Sequence, residues 1–355
     1  MAVEKRYFLH KEEFVLESRE IFKELKICYH ISREWNESGE QSEMQRRKKV
    51  VWITHALTVN SNPCEWWSEL VGEGKFLDPR KYTIVCANLI GSCYGSTSPL
   101  SINPETGKPY LLKFPKTTVR DIVATLDLLR EKLGIKEIDL LIGGSVGGFQ
   151  AIEWSISRRD IIKNVALLAC NARITPWGNA FNESQRMALF ADPTLEQQDF
   201  SIKKGEIVAR GGAKGLAAAR SIALISYRSY QGYNKSQYET SNEIIWNHKA
   251  ASYQQYQGQK LVKRFDAYSY LSMINLTDSH NIGRGRGGVD TALNMINANV
   301  VCIGIDSDIL FPTEEQKYIA SHVRKGSYRE ITSLYGHDGF LLEWKQIETI
   351  LKEIL

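Results

Sequence analysis

The chain has 355 residues, of which 43% are apolar, 24% charged and 10% aromatic, a composition that builds a large buried core and excludes a disordered chain. Lysine and arginine exceed aspartate and glutamate by 45 − 41 = 4, an excess too small and too evenly spread to argue for a nucleic-acid or membrane partner. Met1 to Glu20 mixes both signs of charge without the apolar run of a signal peptide, and no stretch approaches the roughly 20 apolar residues of a membrane span. The six cysteines (Cys28, Cys64, Cys86, Cys93, Cys170, Cys302) are scattered with no CxxC pair, which predicts buried thiols in a cytoplasmic protein. No His, Cys or acidic cluster has the spacing of metal ligands, so no metal is expected.

In chain order, the polar stretch Ser32 to Lys49 is expected to form hairpin strands at a sheet edge. Short runs rich in Val, Ile and Leu follow at Lys49 to Leu57, Tyr82 to Ile90, Ile138 to Ile142, Val165 to Cys170 and Val300 to Ile305. They are continuously apolar instead of alternating, the mark of parallel strands covered on both faces. Between them Val119, Ile122, Val123, Leu126, Leu129 and Leu133 recur at helical spacing within Thr117 to Leu133. Strand and helix therefore alternate, which predicts a doubly wound, mostly parallel α/β sheet. The alternation lapses between Asn171 and Ala298, where the chain is rich in Gln, Tyr, Arg and Ser and reads as helical, most clearly over Gly215 to Tyr230 and Tyr268 to Asn275. The expected organisation is a core of residues 1–170 and 298–355 with a helical lid, 171–297, inserted into it.

The strongest chemical signal is Gly143-Gly-Ser145-Val-Gly147, which joins an apolar strand to a helix. A serine on such a turn stands clear of the backbone as a nucleophile, and the helix N-terminus behind it presents N–H groups to a developing oxyanion. A nucleophile of this kind requires an acid and then a histidine at later strand ends. Val300 to Ile305 runs into Asp306-Ser-Asp308, and Tyr328 to Tyr335 is followed by Gly336-His337-Asp338. His337 is thus the expected base; spacing alone leaves Asp308 and Asp306 both open as the acid. His55, which ends the strand at Lys49 to Thr54, lies in a loop suited to supply a second oxyanion donor. Gly283-Arg-Gly285-Arg-Gly-Gly288 fits a dinucleotide glycine pattern as a string, but no apolar strand feeds it and an arginine-glycine loop is expected. Phe149 stands where a phosphate loop needs lysine.

These residues resemble the homoserine O-acetyltransferases of the α/β-hydrolase superfamily. The resemblance runs from about Val50 to the C-terminus through His55-Ala-Leu-Thr58, Trp66-Trp67, Asn88 to Thr97, Asn103 to Tyr110, Gly143 to Gly148, Phe181-Asn-Glu183, Arg264-Phe-Asp266, Ser307 to Pro312 and Gly336-His-Asp338. It implies an α/β-hydrolase fold with Ser145, Asp308 and His337 as a catalytic triad, favouring Asp308 over Asp306. It also implies an oxyanion hole of the Leu57 and Val146 backbone N–H groups, and an amino-acid site of Arg220, Tyr227 and Asp338. Arg220 and Tyr227 are two helical turns apart and so share a face. The implied substrates are acetyl-CoA, as a co-substrate with no bound cofactor, and L-homoserine, with transfer through an acyl-serine as a step of methionine biosynthesis and a homodimer formed through the lid. The chain departs from the family pattern at Val146, Val59, Ser92 and Ser98, near the expected acyl site. Succinyl transfer, transfer to serine, and simple ester or thioester hydrolysis would use the same triad; a binding protein without chemistry would be expected to lack one of its members.

Overall fold

The computed structural model describes residues 3–35 and 48–355. Eight strands form one sheet: β1 (Val3–His10), β2 (Leu25–Ser32), β3 (Val50–Thr54), β4 (Thr83–Ala87), β5 (Ile138–Gly144), β6 (Ile162–Leu168), β7 (Asn299–Ile305) and β8 (Gly326–Ile331). Their spatial order is β1-β2-β4-β3-β5-β6-β7-β8. From β4 to β8 all neighbours are parallel; β2 pairs antiparallel with both β4 and β1.

Each of the five apolar runs overlaps one of the parallel strands; β5 runs two residues past its run, and β6 begins three residues before its own. The pleat sends alternate residues to opposite layers: Trp52, Leu141, Val165, Leu167 and Cys302 pack into one core cluster, and Val51, Ile53, Leu140, Ile142, Ala166, Leu168 and Ile303 into the other. The first cluster is closed by α1 (Val119–Lys132) and α2 (Val146–Ser157), the second by Trp67, Leu70 and the C-terminal helix α8 (Trp344–Leu351). Helix α1 starts where its sequence supplies a capping box: Thr118 Oγ1 accepts from Asp121 N and Asp121 Oδ2 accepts from Thr118 N, an arrangement that contributes about 1 kcal/mol.

Three expectations require correction. The edge hairpin is built by β1 and β2, which precede the polar stretch assigned to it; Ser32 is the last residue of β2, and most of Ser32 to Lys49 lies outside the described residues. Edge strands carry charge on their open face, so β1, VEKRYFLH, lacks the apolar continuity that marks the central strands. The region between β6 and β7 is mainly helical, with α3 (Pro176–Phe190), α4 (Ala213–Tyr227), α5 (Lys249–Val262) and α6 (Ala267–Asp278). It also contains a hairpin, Phe200–Lys203 with Glu206–Ala209, turning at Lys204 and Gly205. The helix expected over Gly215 to Tyr230 ends at Tyr227, because Arg228 is extended and Ser229 caps a separate short helix, Tyr230–Gln237.

The arginine-glycine loop has a structural task. Arg286 donates from both terminal nitrogens to Glu153 of α2, Nη1 to Oε2 at 2.7 Å, and Glu153 is 3% exposed. A carboxylate so buried depends on its partners, and the second, Arg120, lies farther off, its Nε 3.7 Å from Glu153 Oε1. Arg286→Ala is therefore expected to lower the unfolding free energy by about 3 kcal/mol, measured as a fall in the urea midpoint; a midpoint unchanged from the wild type would contradict that dependence.

Candidate active site

The parallel strands direct their carboxyl ends to one edge of the sheet, where ligands gather in open α/β folds. β5 ends at Gly144 and α2 begins at Val146, so Ser145 alone makes the turn, with φ 56° and ψ −125°. Positive φ is costly for a residue with a β-carbon and persists only where its surroundings fix it. Here Ser145 N donates to Leu168 O at 2.9 Å and Phe149 N to Ser145 O at 3.2 Å. Thr54, at the end of β3, donates from Oγ1 to Gly147 O at 2.8 Å. A β-carbon on Gly147 would lie 2.1 Å from Thr54 O, so the close approach of β3 to the first turn of α2 requires glycine at that position.

The loop after β7 carries Asp308 and the loop after β8 carries His337. His337 Nδ1 lies 2.7 Å from Asp308 Oδ2, both side chains being buried. Leu310 N and Phe311 N donate to Asp308 Oδ1 at 2.8 and 3.1 Å and fix the carboxylate. Asp306 is turned elsewhere, accepting from Ser333 N at 3.0 Å. The His337 ring packs against Phe311 and Tyr227, with centroids 5.3 and 5.8 Å away, and both of these residues line a cavity with Ser145. His337 Nε2 is buried and has no hydrogen-bond partner among the described residues, leaving its lone pair open to a proton. Burial disfavours the imidazolium, but the Asp308 carboxylate, aided by Asp338, outweighs it and holds the His337 pKa above its ordinary 6.5.

Leu57 and Val146 line the same cavity beside Ser145. His55 braces the loop that carries Leu57: Leu89 N donates to its Nε2 at 3.2 Å, its Nδ1 meets Ala56 O at 2.9 Å, and burial lowers its pKa to about 4. It is therefore neutral at pH 7 and bonded on both ring nitrogens. Gln150 ties the two donor segments together, donating to His55 O at 3.0 Å and Val146 O at 3.1 Å. On the opposite side, Arg264 bonds Thr58 O and the Tyr94 hydroxyl. Neither Gln150 nor Arg264 has a site role legible from sequence, although Arg264 lies in one of the matched motifs.

The cavity holds about 40 Å³, room for about three water molecules. Its walls are Leu57, Val146 and Phe149 from the core and Ile174, Phe181 and Tyr227 from the helical region, with Asn182, Gln185 and Thr277 as polar groups and no lysine, arginine or histidine among its lining residues. Arg220 sets its guanidinium carbon 5.3 Å from the centre of the Tyr227 ring and makes no ion pair among the described residues. Asp338, which follows His337, is ion-paired with Arg228, a residue the sequence reading did not single out. Among the described residues no group of three or more His, Cys, Asp or Glu side chains could hold a metal ion.

Comparison with known proteins identifies the fold and the family. The family described as the alpha/beta hydrolase fold matches residues 49–204. The homoserine O-acetyltransferase of Cyclobacterium marinum is 46% identical over 345 residues, covering 97% of this chain and 93% of the relative, and that of Carboxydothermus hydrogenoformans is 37% identical over 97% and 93%. Among solved structures, homoserine O-acetyltransferase from Bacillus anthracis superposes with a TM-score of 0.87 over 100% of this chain and 98% of that one at 22% identity. Esterase E22 gives 0.86 over 99% of each chain at 21% identity; at such identities the two establish a shared fold. With a curated relative at 46% identity over nearly its whole length, the chain belongs to the homoserine O-acetyltransferase family, built on the α/β-hydrolase fold.

Proposed function

We propose that the protein transfers an acetyl group from acetyl-CoA to the hydroxyl of L-homoserine through an acetyl-Ser145 intermediate, in methionine biosynthesis. The observation that carries this reading beyond hydrolysis is Arg220, a guanidinium without an ion pair among the described residues, set over the ring of Tyr227, which lines the serine cavity. Hydrolysis has no use for such a group, whereas the carboxylate of an amino-acid acceptor would pair with it.

In this mechanism His337 Nε2 takes the Ser145 proton while Oγ bonds to the thioester carbonyl carbon. The backbone N–H groups of Leu57 and Val146 stabilise the resulting oxyanion. Collapse breaks the carbon–sulfur bond, and the proton passes from His337 to the departing coenzyme A thiolate. The homoserine hydroxyl then gives its proton to His337 and attacks the acetyl ester, and the proton returns to Ser145 Oγ as O-acetylhomoserine leaves. Asp308 accepts from Nδ1, which keeps Nε2 as the basic nitrogen and offsets the imidazolium charge. Asp338 receives the acceptor's ammonium, while Arg220 and Tyr227 receive its carboxylate.

The size and walls of the cavity support acetyl over succinyl. A succinyl chain would carry a second carboxylate past Phe149, Ile174 and Phe181 with no lining cation to meet it, and burying an unpaired charge costs several kcal/mol. Exposed apolar residues on the helical region, Ile225 on α4, Tyr256 on α5 and Trp246 between them, support a homodimer formed through this lid, residues 171–297. The six free thiols, four of them buried, support a cytoplasmic setting.

Thiol release by the purified protein tests the assignment. Release from acetyl-CoA is expected to require homoserine and to fall about a thousandfold or more in Ser145→Ala; release at the same rate with no amino acid present would make the protein a thioesterase. Succinyl-CoA is expected to be poorer than acetyl-CoA by about a hundredfold or more in kcat/KM, the equivalent of about 3 kcal/mol, and equal use of both donors would overturn the reading of the pocket. Because His337 must be neutral to act as base and its pKa is raised, kcat/KM is expected to climb with pH through a midpoint above 6.5. A midpoint below 6.5 would contradict the pairing with Asp308.

A further inference from the structure

The acceptor site contains a second arginine in a different position from the first. Arg228 is the residue immediately after α4, the helix that carries Arg220 and Tyr227. Its Nη1 donates to Asp338 Oδ2, and its Nη2 lies 3.3 Å from the Tyr253 hydroxyl on α5. Both members of the pair are largely buried, with side-chain exposures of 23% and 20%. The backbone around them is stitched together as well. Ser229 Oγ donates to Leu334 O at 2.6 Å, and Gly336, with φ 62°, passes so near Arg228 that a β-carbon would lie 2.7 Å from its carbonyl carbon. The end of α4 and the loop that carries His337 and Asp338 therefore move as one piece.

We propose that Arg228 is a positioning residue for the acyl acceptor: it grips Asp338 by Oδ2, leaves Oδ1 to receive the ammonium of the amino acid, and offsets the Asp338 charge beside His337. This rests on the acceptor-binding role given above to Asp338. The Coulombic argument follows from the surroundings of the histidine. The titratable and charged groups about His337 are Asp308 from the loop after β7, Asp338 on its own loop and Tyr227 on α4; Arg228 is paired with Asp338, and Arg220 lies over Tyr227. The negative charge of Asp338 favours the imidazolium, and the guanidinium paired to it works against that effect. Without Arg228, Asp338 is free to rotate and its charge acts on His337 undiminished.

Arg228→Gln, which keeps a hydrogen-bond donor and loses the charge, separates these effects from mere packing. It is expected to raise the KM for homoserine about tenfold, well beyond any fall in kcat, and to move the acid limb of the kcat/KM profile to higher pH. Arg228→Lys, which restores the charge without the planar fork, is expected to return the acid limb toward the wild-type position while recovering KM only in part. If Arg228→Gln lowers kcat with homoserine KM and acid limb unmoved, or if Arg228→Lys restores neither, the proposal is overturned and the pair is structural. Should Arg228→Gln fail to fold, the lysine variant alone decides, since an acid limb and a KM both equal to those of the wild type would show that the fork is not needed. Homoserine dependence in the wild type, measured alongside, separates a failure of this inference from a failure of the acyl-transfer reading.

Discussion

The site depends on the contact between the end of β3 and the first turn of α2. Thr54 approaches Gly147 so closely that no side chain fits between them, and this contact, with the bond from Ser145 N to Leu168 O, holds a serine at φ 56°. The sheet absorbs the strain because β3, β5 and β6 are neighbours in it, each buried on both faces toward its carboxyl end. The same contact brings the loop after β3, with Leu57, beside Val146 at the head of α2. A single backbone approach thereby sets the nucleophile and both segments of the proposed oxyanion hole, and Gln150 fastens them with one side-chain amide.

Charge is arranged around this rigid edge in two unequal pairs. Asp308 and His337 form a buried pair whose geometry leaves one imidazole nitrogen open. Asp338 and Arg228 form a second, at the junction of the histidine loop and the helical region. Arg220 stands apart from both, resting on Tyr227. Arg220, at the middle of α4, and Arg228, just past its end, thus differ: Arg228 is paired with a protein carboxylate, and Arg220 rests on an aromatic ring.

Much of this was legible in the sequence where the signal is local. Buried parallel strands are apolar without interruption, so the central runs stand out, and the turn at Ser145 lies between two of the most regular elements. His337 could be placed because such groups follow strand ends in open α/β sheets, whereas spacing left Asp306 and Asp308 both open and only the family resemblance favoured Asp308. The edge strands β1 and β2 were missed because charged residues face solvent along β1, and the hairpin at Phe200–Lys203 because four-residue strands with exposed faces carry little pattern. The end of α4 at Tyr227 was also missed, since no glycine or proline marks it. Arg228 was invisible for a different reason: its partner lies 110 residues away, and only the folded chain brings them together. The adjacent Ser229, a helix cap, was the one local sign that the chain breaks there.

The central claim is that the acyl group rests on Ser145 and is taken by an amino acid in preference to water. The most direct measurement is the lifetime of the acetylated protein, formed with acetyl-CoA, freed of excess donor and followed by intact mass with and without homoserine. The account predicts an adduct on Ser145 that decays slowly in buffer and faster, to saturation, as homoserine rises. Decay at one rate whatever the homoserine concentration would contradict it.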